Sequence, residues 1–405
     1  MRKPSVEILG PWIPNKGDAL MLHALARQLG DRYNLCVRSA LGLDQLPADP
    51  PLYRVIEETG WSALRRGLMQ GSLEARARTT RRTLALHFAP RSWLEKRRIA
   101  DHRRLRALLD CSGFAYGDQW SNRRIQSRTQ LYRKLRRQGT KLILLPQALG
   151  PFDKPEIAGP AREMLGLFER VYARDAQSRA HLLDLGIPAE RVGQAPDVTH
   201  LLEGRPLADA ELWRKRVAIV PNARMTDRTD PAVAARYVAY LAHCIARVEH
   251  AGFEPWILQH EVNDDRIIGQ LIEAVGHPLS VADEDALTTK AILGACHAAI
   301  ASRFHSLVSC LSQGTPAIGT SWSHKYNGLF AEYGFEQFLL SPLDEISTVD
   351  ARVDDLLQAE SHRSLRAQLE MHAASRKAEV EAMWRDVIAR IDGVTQEPAA
   401  PGSRA

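Results

Sequence analysis

Apolar and polar positions alternate along the chain in a repeating order. A short apolar run leads into a polar loop, and then come residues with apolar side chains three or four apart. Residues 6–12 (VEILGPW) predict a strand, 14–18 (PNKGD) a loop, and 19–30 (ALMLHALARQLG) a helix ending at Gly30. YNLCVRSA predicts a second strand. Strand–loop–helix–strand is the opening of a parallel α/β sheet. After an interruption at 61–109 the same order returns: LLDCSGFAYGDQW, RTQLYRKLRRQG, TKLILLPQALGPF, AREMLGLFERV, VYARD and SRAHLLDLG. RKRVAIVPNARM starts a second series, which continues through EPWILQHEV, LTTKAILGACH, HAAIASRFHS and PAIGTSWSHKYNGLF. A last helix is expected at roughly 362–391, long enough to pack back across both series.

The expected fold is therefore α/β, with two Rossmann-like doubly wound halves facing a cleft. The polar stretch LLEGRPLADAELWRK places the boundary near 205. That divides the chain into an N-terminal domain (1–205), a C-terminal domain (206–345), a helical segment (346–392) and a disordered Pro/Ala/Gly-rich tail (393–405). A length of 405 residues exceeds what one hydrophobic core usually serves. Residues 61–109 break the rhythm. They read as a helical insertion crowded with arginine, either a solvated surface or a basic face for an anionic polymer, a lipid-linked diphosphate or a membrane.

A formal net charge of +6 suits an anionic substrate and is too mild to point to nucleic acid. Five scattered cysteines without CxxC spacing read as reduced thiols in a cytoplasmic protein, with no zinc site. No stretch reaches the apolar length of a membrane span.

In doubly wound sheets, ligands sit beyond the carboxyl ends of the strands. The polar motifs fall there. ASRFHS puts Arg303 and His305 where an apolar strand hands over to a helix; a guanidinium and an imidazole together suit a carboxylate or phosphate. The competing reading is a structural arginine on a carboxylate beside a satisfied histidine. Arg174 stands at another strand end, bound to an anion or paired with Asp175. Asn222 and Arg224 follow VAIVP. Asn15 and Lys16 lie in a loop loosely like a phosphate loop, with Asp18 as the helix N-cap or a site residue. His260 and Glu261 lack metal-ligand spacing, and His324 and Lys325 could touch phosphate or sugar.

Taken in order, NKGDALMLHAL, YGDQW, LPQALGPF, YARDAQS, APDVTH, IVPNARM, QHEVNDD and SRFHSLVSCLSQGTPAIGTSWSHKYNGL resemble the polysaccharide pyruvyl transferase family over roughly residues 6–335. The resemblance implies a fold like the GT-B glycosyltransferases. It also implies transfer of a pyruvyl group from phosphoenolpyruvate onto two sugar hydroxyls as a cyclic ketal. It puts the donor-binding Arg and His at Arg303 and His305, the strand-end arginine at Arg174, and the acid of a glycine-rich motif at Asp118. Here that motif departs from the family's glycine run, reading GFAYGD. In this scheme His305 delivers a proton to the methylene carbon, and Asp18, Asp118 or Glu261 takes one from a hydroxyl. Arg303 and Arg174 hold the donor and the departing phosphate. Asn15, Lys16, Asn222, Arg224, His260, His324 and Lys325 are expected acceptor or phosphate contacts.

The scheme requires no metal, and no cofactor beyond phosphoenolpyruvate as co-substrate. The expected partner is a saccharide acceptor, free or lipid-linked, met in the cytoplasm, with 61–109 as the candidate for peripheral membrane contact, and no nucleic acid. Two other readings fit the same architecture: a GT-B glycosyltransferase using a nucleotide sugar, and a non-catalytic polysaccharide-binding pseudoenzyme.

Overall fold

The computed structural model describes residues 3–11, 15–38, 52–56 and 89–394. Among these, the strands form two parallel sheets. The first contains β1 (Ser5–Leu9), β2 (Asn34–Val37), β3 (Tyr53–Ile56), β4 (Ile99–Asp101), β5 (Leu105–Asp110), β6 (Lys141–Gln147), β7 (Arg170–Ala173) and β8 (Val192–Gln194), in the order β4-β3-β2-β1-β5-β6-β7-β8. The second contains β9 (Arg216–Val220), β10 (Glu254–Leu258), β11 (Ser280–Ala282), β12 (Ala298–Ala301), β13 (Ala317–Thr320) and β14 (Leu339–Leu340), in the order β11-β10-β9-β12-β13-β14. Strand β12 is apolar throughout and β6 is apolar between Lys141 and Gln147, because helices cover both faces of such a sheet.

Each order reverses once, at β1/β5 in the first sheet and at β9/β12 in the second. Diverging loops at a reversal leave a crevice. The loops leaving these four strands carry NKGD, GFAYGD, PNARM and SRFHS. The polar motifs therefore concentrate where the topology opens space.

The helices that frame the site are α1 (Lys16–Leu29), α2 (Arg91–Lys96), α3 (Asn122–Arg137), α4 (Pro155–Leu165), α5 (Ala176–Asp184), α6 (Ala210–Trp213), α7 (Arg224–Asp227), α8 (Pro231–His250), α9 (Asp265–Val275), α10 (Ala286–Ala295), α11 (Phe304–Leu311), α12 (Lys325–Tyr333), α13 (Ile346–Leu357) and α14 (Ala359–Asp392). α14 has 34 residues and reaches across both halves. Its Leu365, Leu369 and Ala373 join the core of the second half. Val380, Met383, Trp384, Val387 and Ile391 join the core of the first. Its far end is held by Arg106, whose guanidinium donates to the Ile391 and Asp392 carbonyls, both at 2.8 Å.

Two sequence expectations are corrected here. Residues 61–109 are not one helical insertion. Residues 57–88 lie outside the described part, α2 is one short helix, and Ile99–Asp101 and Leu105–Asp110 are strands of the first sheet. The arginines flanking them conceal short apolar stretches whose partners are other strands. The loop expected at 14–18 is shorter, because Lys16, Gly17 and Asp18 are the first turn of α1. The expected tail lies outside the described residues from 395 onward. No described helix is long and apolar enough to cross a membrane.

Candidate active site

The carboxyl ends of the two sheets face one another, and α1, α11 and α12 line the seam. Asn15 is the N-cap of α1, accepting from the Gly17 and Asp18 amides at 2.9 and 3.3 Å. Asp18, expected as a possible cap, is instead the third residue of the helix. Lys16 crosses to the second half, donating to the Gln259 carbonyl and to Asp283 Oδ1 at 2.7 Å. Gly17 lies directly against the His305 imidazole, and a β-carbon there would overlap the ring. NKGD is thus not a phosphate loop. It caps a helix, bridges the halves and makes room for a histidine.

Arg303 and His305 do not face the same side. Arg303 is the extended residue preceding α11, while His305 is in the helix's first turn. The change of backbone at Phe304 turns them apart. Arg303 forms a two-pronged pair with Asp264, with Nε at 3.0 Å from Oδ2, and its Nη1 donates to Glu261. Asp264 is fully buried and Arg303 is 8 % exposed. Burial raises the Asp264 carboxyl while Arg303 opposes the rise. The expected donor-holding arginine and one expected base, Glu261, are therefore spent on each other. A buried carboxylate needs a charged partner more than the cleft mouth does.

His305 turns toward the first half. Its Nε2 is 3.5 Å from Asp197 Oδ2, within ion-pair reach but without hydrogen-bond geometry. Asp197 also receives Arg174 Nη1 at 3.1 Å and the Thr199 amide and hydroxyl at 3.0 and 2.7 Å. Burial alone would raise its pKa. His305, Arg174 and the Thr199 amide hold it well below the usual carboxylate range instead. Arg174 thus pairs with Asp197, not with its neighbour Asp175, which caps α5 through the Ser178 amide. The buried Nη2 of Arg174 has no hydrogen-bond partner among the described residues.

Phe304 is the hub of this cluster. The Arg174 guanidinium lies 4.0 Å from its ring centroid and the Lys325 ammonium nitrogen 5.2 Å. The His305 ring is 5.5 Å away, edge-on. Lys325 opens α12 and also approaches Trp322, Tyr326 and Phe114 at 4.7, 5.5 and 5.6 Å. Gly328, one turn on, lets α12 close on the first half: a β-carbon there would meet that of Asp175 at 2.8 Å.

Outside the cluster lies a cleft of about 590 Å³ between the halves. Phe114, Asp118 and Trp120 line it from the first half, and Arg224, Trp322 and His324 from the second. The expected site residues divide around it. Asp118 is at the wall, but its carboxylate accepts from the Asp153 amide at 2.8 Å and so braces the loop leading to α4. Arg224 is at the mouth, paired with Asp227 at 2.7 Å. Asn222 is buried and structural: its Nδ2 donates to the Ser302 carbonyl at 2.7 Å and its Oδ1 accepts from the Arg224 amide at 2.9 Å. His260 is buried with neither ring nitrogen partnered among the described residues, and burial and the nearby Arg303 keep it neutral. His324 packs edge-on against Phe114 at 5.2 Å, and burial lowers its pKa.

The sequence profile of the polysaccharide pyruvyl transferase family matches residues 15–324. The chain belongs to that family. No curated protein sequence matches it. Among solved structures it is similar to Alr3699/HepE of Anabaena in complex with UDP and glucose, with TM-score 0.59 and 11% identity over 96% of this chain and 100% of that one. It is also similar to MnaA of S. aureus with UDP, with TM-score 0.58 and 11% identity over 99% and 100%. A glycosyltransferase from Rickettsia africae gives TM-score 0.55 and 9% identity over 97% and 99%. At such identities the likeness shows the fold, which is that of the GT-B glycosyltransferases.

In this pyruvyl transferase family member the structure adds residues that the sequence left without a role. Asp197 stands in the motif APDVTH, quoted above without an assignment, and the polar run after an apolar strand is its signal. Glu332 lines an inner cavity together with Arg174, Asp197 and Lys325, and burial and Asp175 push its carboxyl up to about 8. It lies in the last turn of α12, where the sequence offers no cue. Phe304 and Trp322, which the sequence did not single out, emerge as walls of the site.

Proposed function

We propose that the protein transfers a pyruvyl group from phosphoenolpyruvate onto two hydroxyls of a sugar, forming a cyclic ketal. The acceptor is a saccharide of a polysaccharide, of its lipid-linked precursor or of a glycolipid. One observation carries the reading. Three side chains able to bear positive charge, Arg174, His305 and Lys325, gather around Phe304 with bonding capacity left over, and an aromatic cleft opens beside them. Phosphoenolpyruvate brings a carboxylate and a phosphate to such a cluster. Sugar rings present C–H faces that suit Phe114, Trp120 and Trp322.

His305 protonates the methylene carbon, and the adjacent carbon becomes electron-poor and is attacked by the first hydroxyl oxygen. The carbon–oxygen bond to phosphate then breaks, its electron pair leaving with the phosphate. The second hydroxyl attacks the same carbon and closes the ring. One hydroxyl proton restores His305 and the other matches the proton carried off by phosphate. Asp197, 3.5 Å from Nε2, keeps the imidazole oriented. Arg174 faces the departing charge. The scheme calls for no metal.

The test is incubation with phosphoenolpyruvate labelled with ¹³C in the pyruvyl group and a panel of methyl glycosides bearing free 4,6- or 3,4-diols. A new methyl signal coupled to a quaternary ketal carbon, with equimolar phosphate, supports the reading. Transfer of glucose from UDP-glucose with phosphoenolpyruvate untouched overturns it.

A further inference from the structure

Lys325 differs from the other cations of the seam. Arg303 has Asp264 and Glu261, Arg174 has Asp197, and Lys16 has Asp283. Among the described residues Lys325 makes no hydrogen bond or ion pair, and it is surrounded by Phe114, Phe304, Trp322 and Tyr326. Its position is equally particular. Phe114 and Trp322 wall the outer cleft, whereas Phe304 and Lys325 itself wall the inner cavity behind Arg174 and Asp197. The amine stands between the space that suits a sugar and the cluster that suits an anion.

We propose that Lys325 is a proton-exchanging catalytic residue of this site. It waits as an amine, takes up a proton when a phosphoester anion enters, and gives that proton to the departing phosphate. The proposal rests on the phosphoenolpyruvate reading above and adds to it the identity of the group that escorts the leaving phosphate. The balance is simple. Binding draws one proton from solvent onto the Lys325 nitrogen. When the carbon–oxygen bond to phosphate breaks, the bonding pair stays on the oxygen and the proton passes from nitrogen to that phosphate. The amine is restored, and of the two hydroxyl protons one restores His305 and one returns to solvent.

The surroundings are balanced for such a switch. Burial disfavours the ammonium, and Arg174 at the end of β7 and Arg303 before α11 repel it, lowering its pKa to about 7. Asp18 on α1 and Asp197 after β8 act in the opposite direction. His324, the neighbouring residue, is itself depressed by burial. The four ring faces favour the charged form. A phosphate dianion beside the amine adds to that side and tips the balance.

Isothermal titration with phosphoenolpyruvate tests this without knowledge of the acceptor. Near pH 8 the ligand's phosphate has already lost both protons. The slope of apparent enthalpy against buffer ionisation enthalpy therefore counts protons taken up by the protein. The expected result is uptake of about half to one proton by the wild type, abolished in Lys325→Met and kept in His324→Gln. Binding with no uptake, or equal uptake in Lys325→Met, overturns the inference while leaving the donor assignment standing. Absence of binding at millimolar phosphoenolpyruvate overturns the donor assignment, and the inference with it. Should Lys325→Met fail to fold, acetylation of wild-type Lys325 followed by mass spectrometry decides. Rapid labelling near pH 8, suppressed about tenfold by phosphoenolpyruvate, supports the proposal. Labelling that tracks exposed Lys215 and ignores phosphoenolpyruvate overturns it.

Discussion

Asp197 carries its charge in full burial because His305, Arg174 and the Thr199 amide converge on it. It holds an imidazole on one side and a guanidinium on the other, so its removal disturbs both. Gly17 does the complementary work by leaving room for the ring. Gly17→Ala is expected to displace His305 and lower turnover by about 10²–10⁴, the usual worth of a positioned acid, while circular dichroism stays native. Full activity in that variant would mean the imidazole does not need its position. Arg303 belongs to stability first. Arg303→Met leaves Asp264 buried with the Ala223 amide but without a charged partner, and an unfolding free energy lower by about 3–5 kcal/mol is expected in urea titrations.

His200 offers a test of acid sensitivity. Its Nδ1 faces the Asp197 carbonyl at 2.8 Å, its Nε2 is buried without a partner, and burial lowers its pKa to about 4. An unfolded chain protonates near 6.5, so the unfolded state binds the proton first, and stability falls as pH drops from 6.5 toward 4. Between pH 7 and 5 this group alone removes about 2 kcal/mol, and His200→Gln should lose that much less over the same range in paired denaturant melts.

At the level of elements, the helices that build the site are anchored from both halves. α11 rises from β12 and delivers His305 to Asp197 of the first half. α12 carries Lys325 and closes on Asp175 through Gly328. α14 ties the two cores together, so its apolar face carries a large share of interdomain cohesion. Trp384→Ala removes a side chain 2 % exposed in the first core. A loss of about 3–5 kcal/mol is expected in urea titrations, with a cooperative transition retained. Periodicity reveals these helices because their apolar residues recur at three and four. It does not reveal where a neighbouring polar side chain turns. Arg303 and His305 are two apart and look equivalent in ASRFHS, yet one residue of extended backbone before a helix sends them to different halves. The first turn of α1 was hidden likewise, since Lys16, Gly17 and Asp18 are polar or small and read as loop.

For the whole molecule, two sheets with one reversal each place four motif loops beside a shared seam. Strand order comes from burial on both faces, a property that apolar runs display openly, so the doubly wound halves were legible. Strand β4 and the start of β5 were not, because arginine crowds the residues around them and pairing partners are distant in the chain. The seam's chemistry was legible as residue types, but the pairings of Arg303 with Asp264 and Glu261 and of Arg174 with Asp197 depend on which groups are buried together.

The central claim is that this seam takes phosphoenolpyruvate. The most direct measurement is a thermal shift of the wild type and of Arg174→Met against phosphoenolpyruvate, UDP and UDP-glucose. A ligand at about a hundredfold its dissociation constant stabilises the fold by roughly 2.7 kcal/mol, a readable shift. The expected result is a rise with phosphoenolpyruvate that is lost in Arg174→Met. A rise with UDP or UDP-glucose and none with phosphoenolpyruvate would contradict the account.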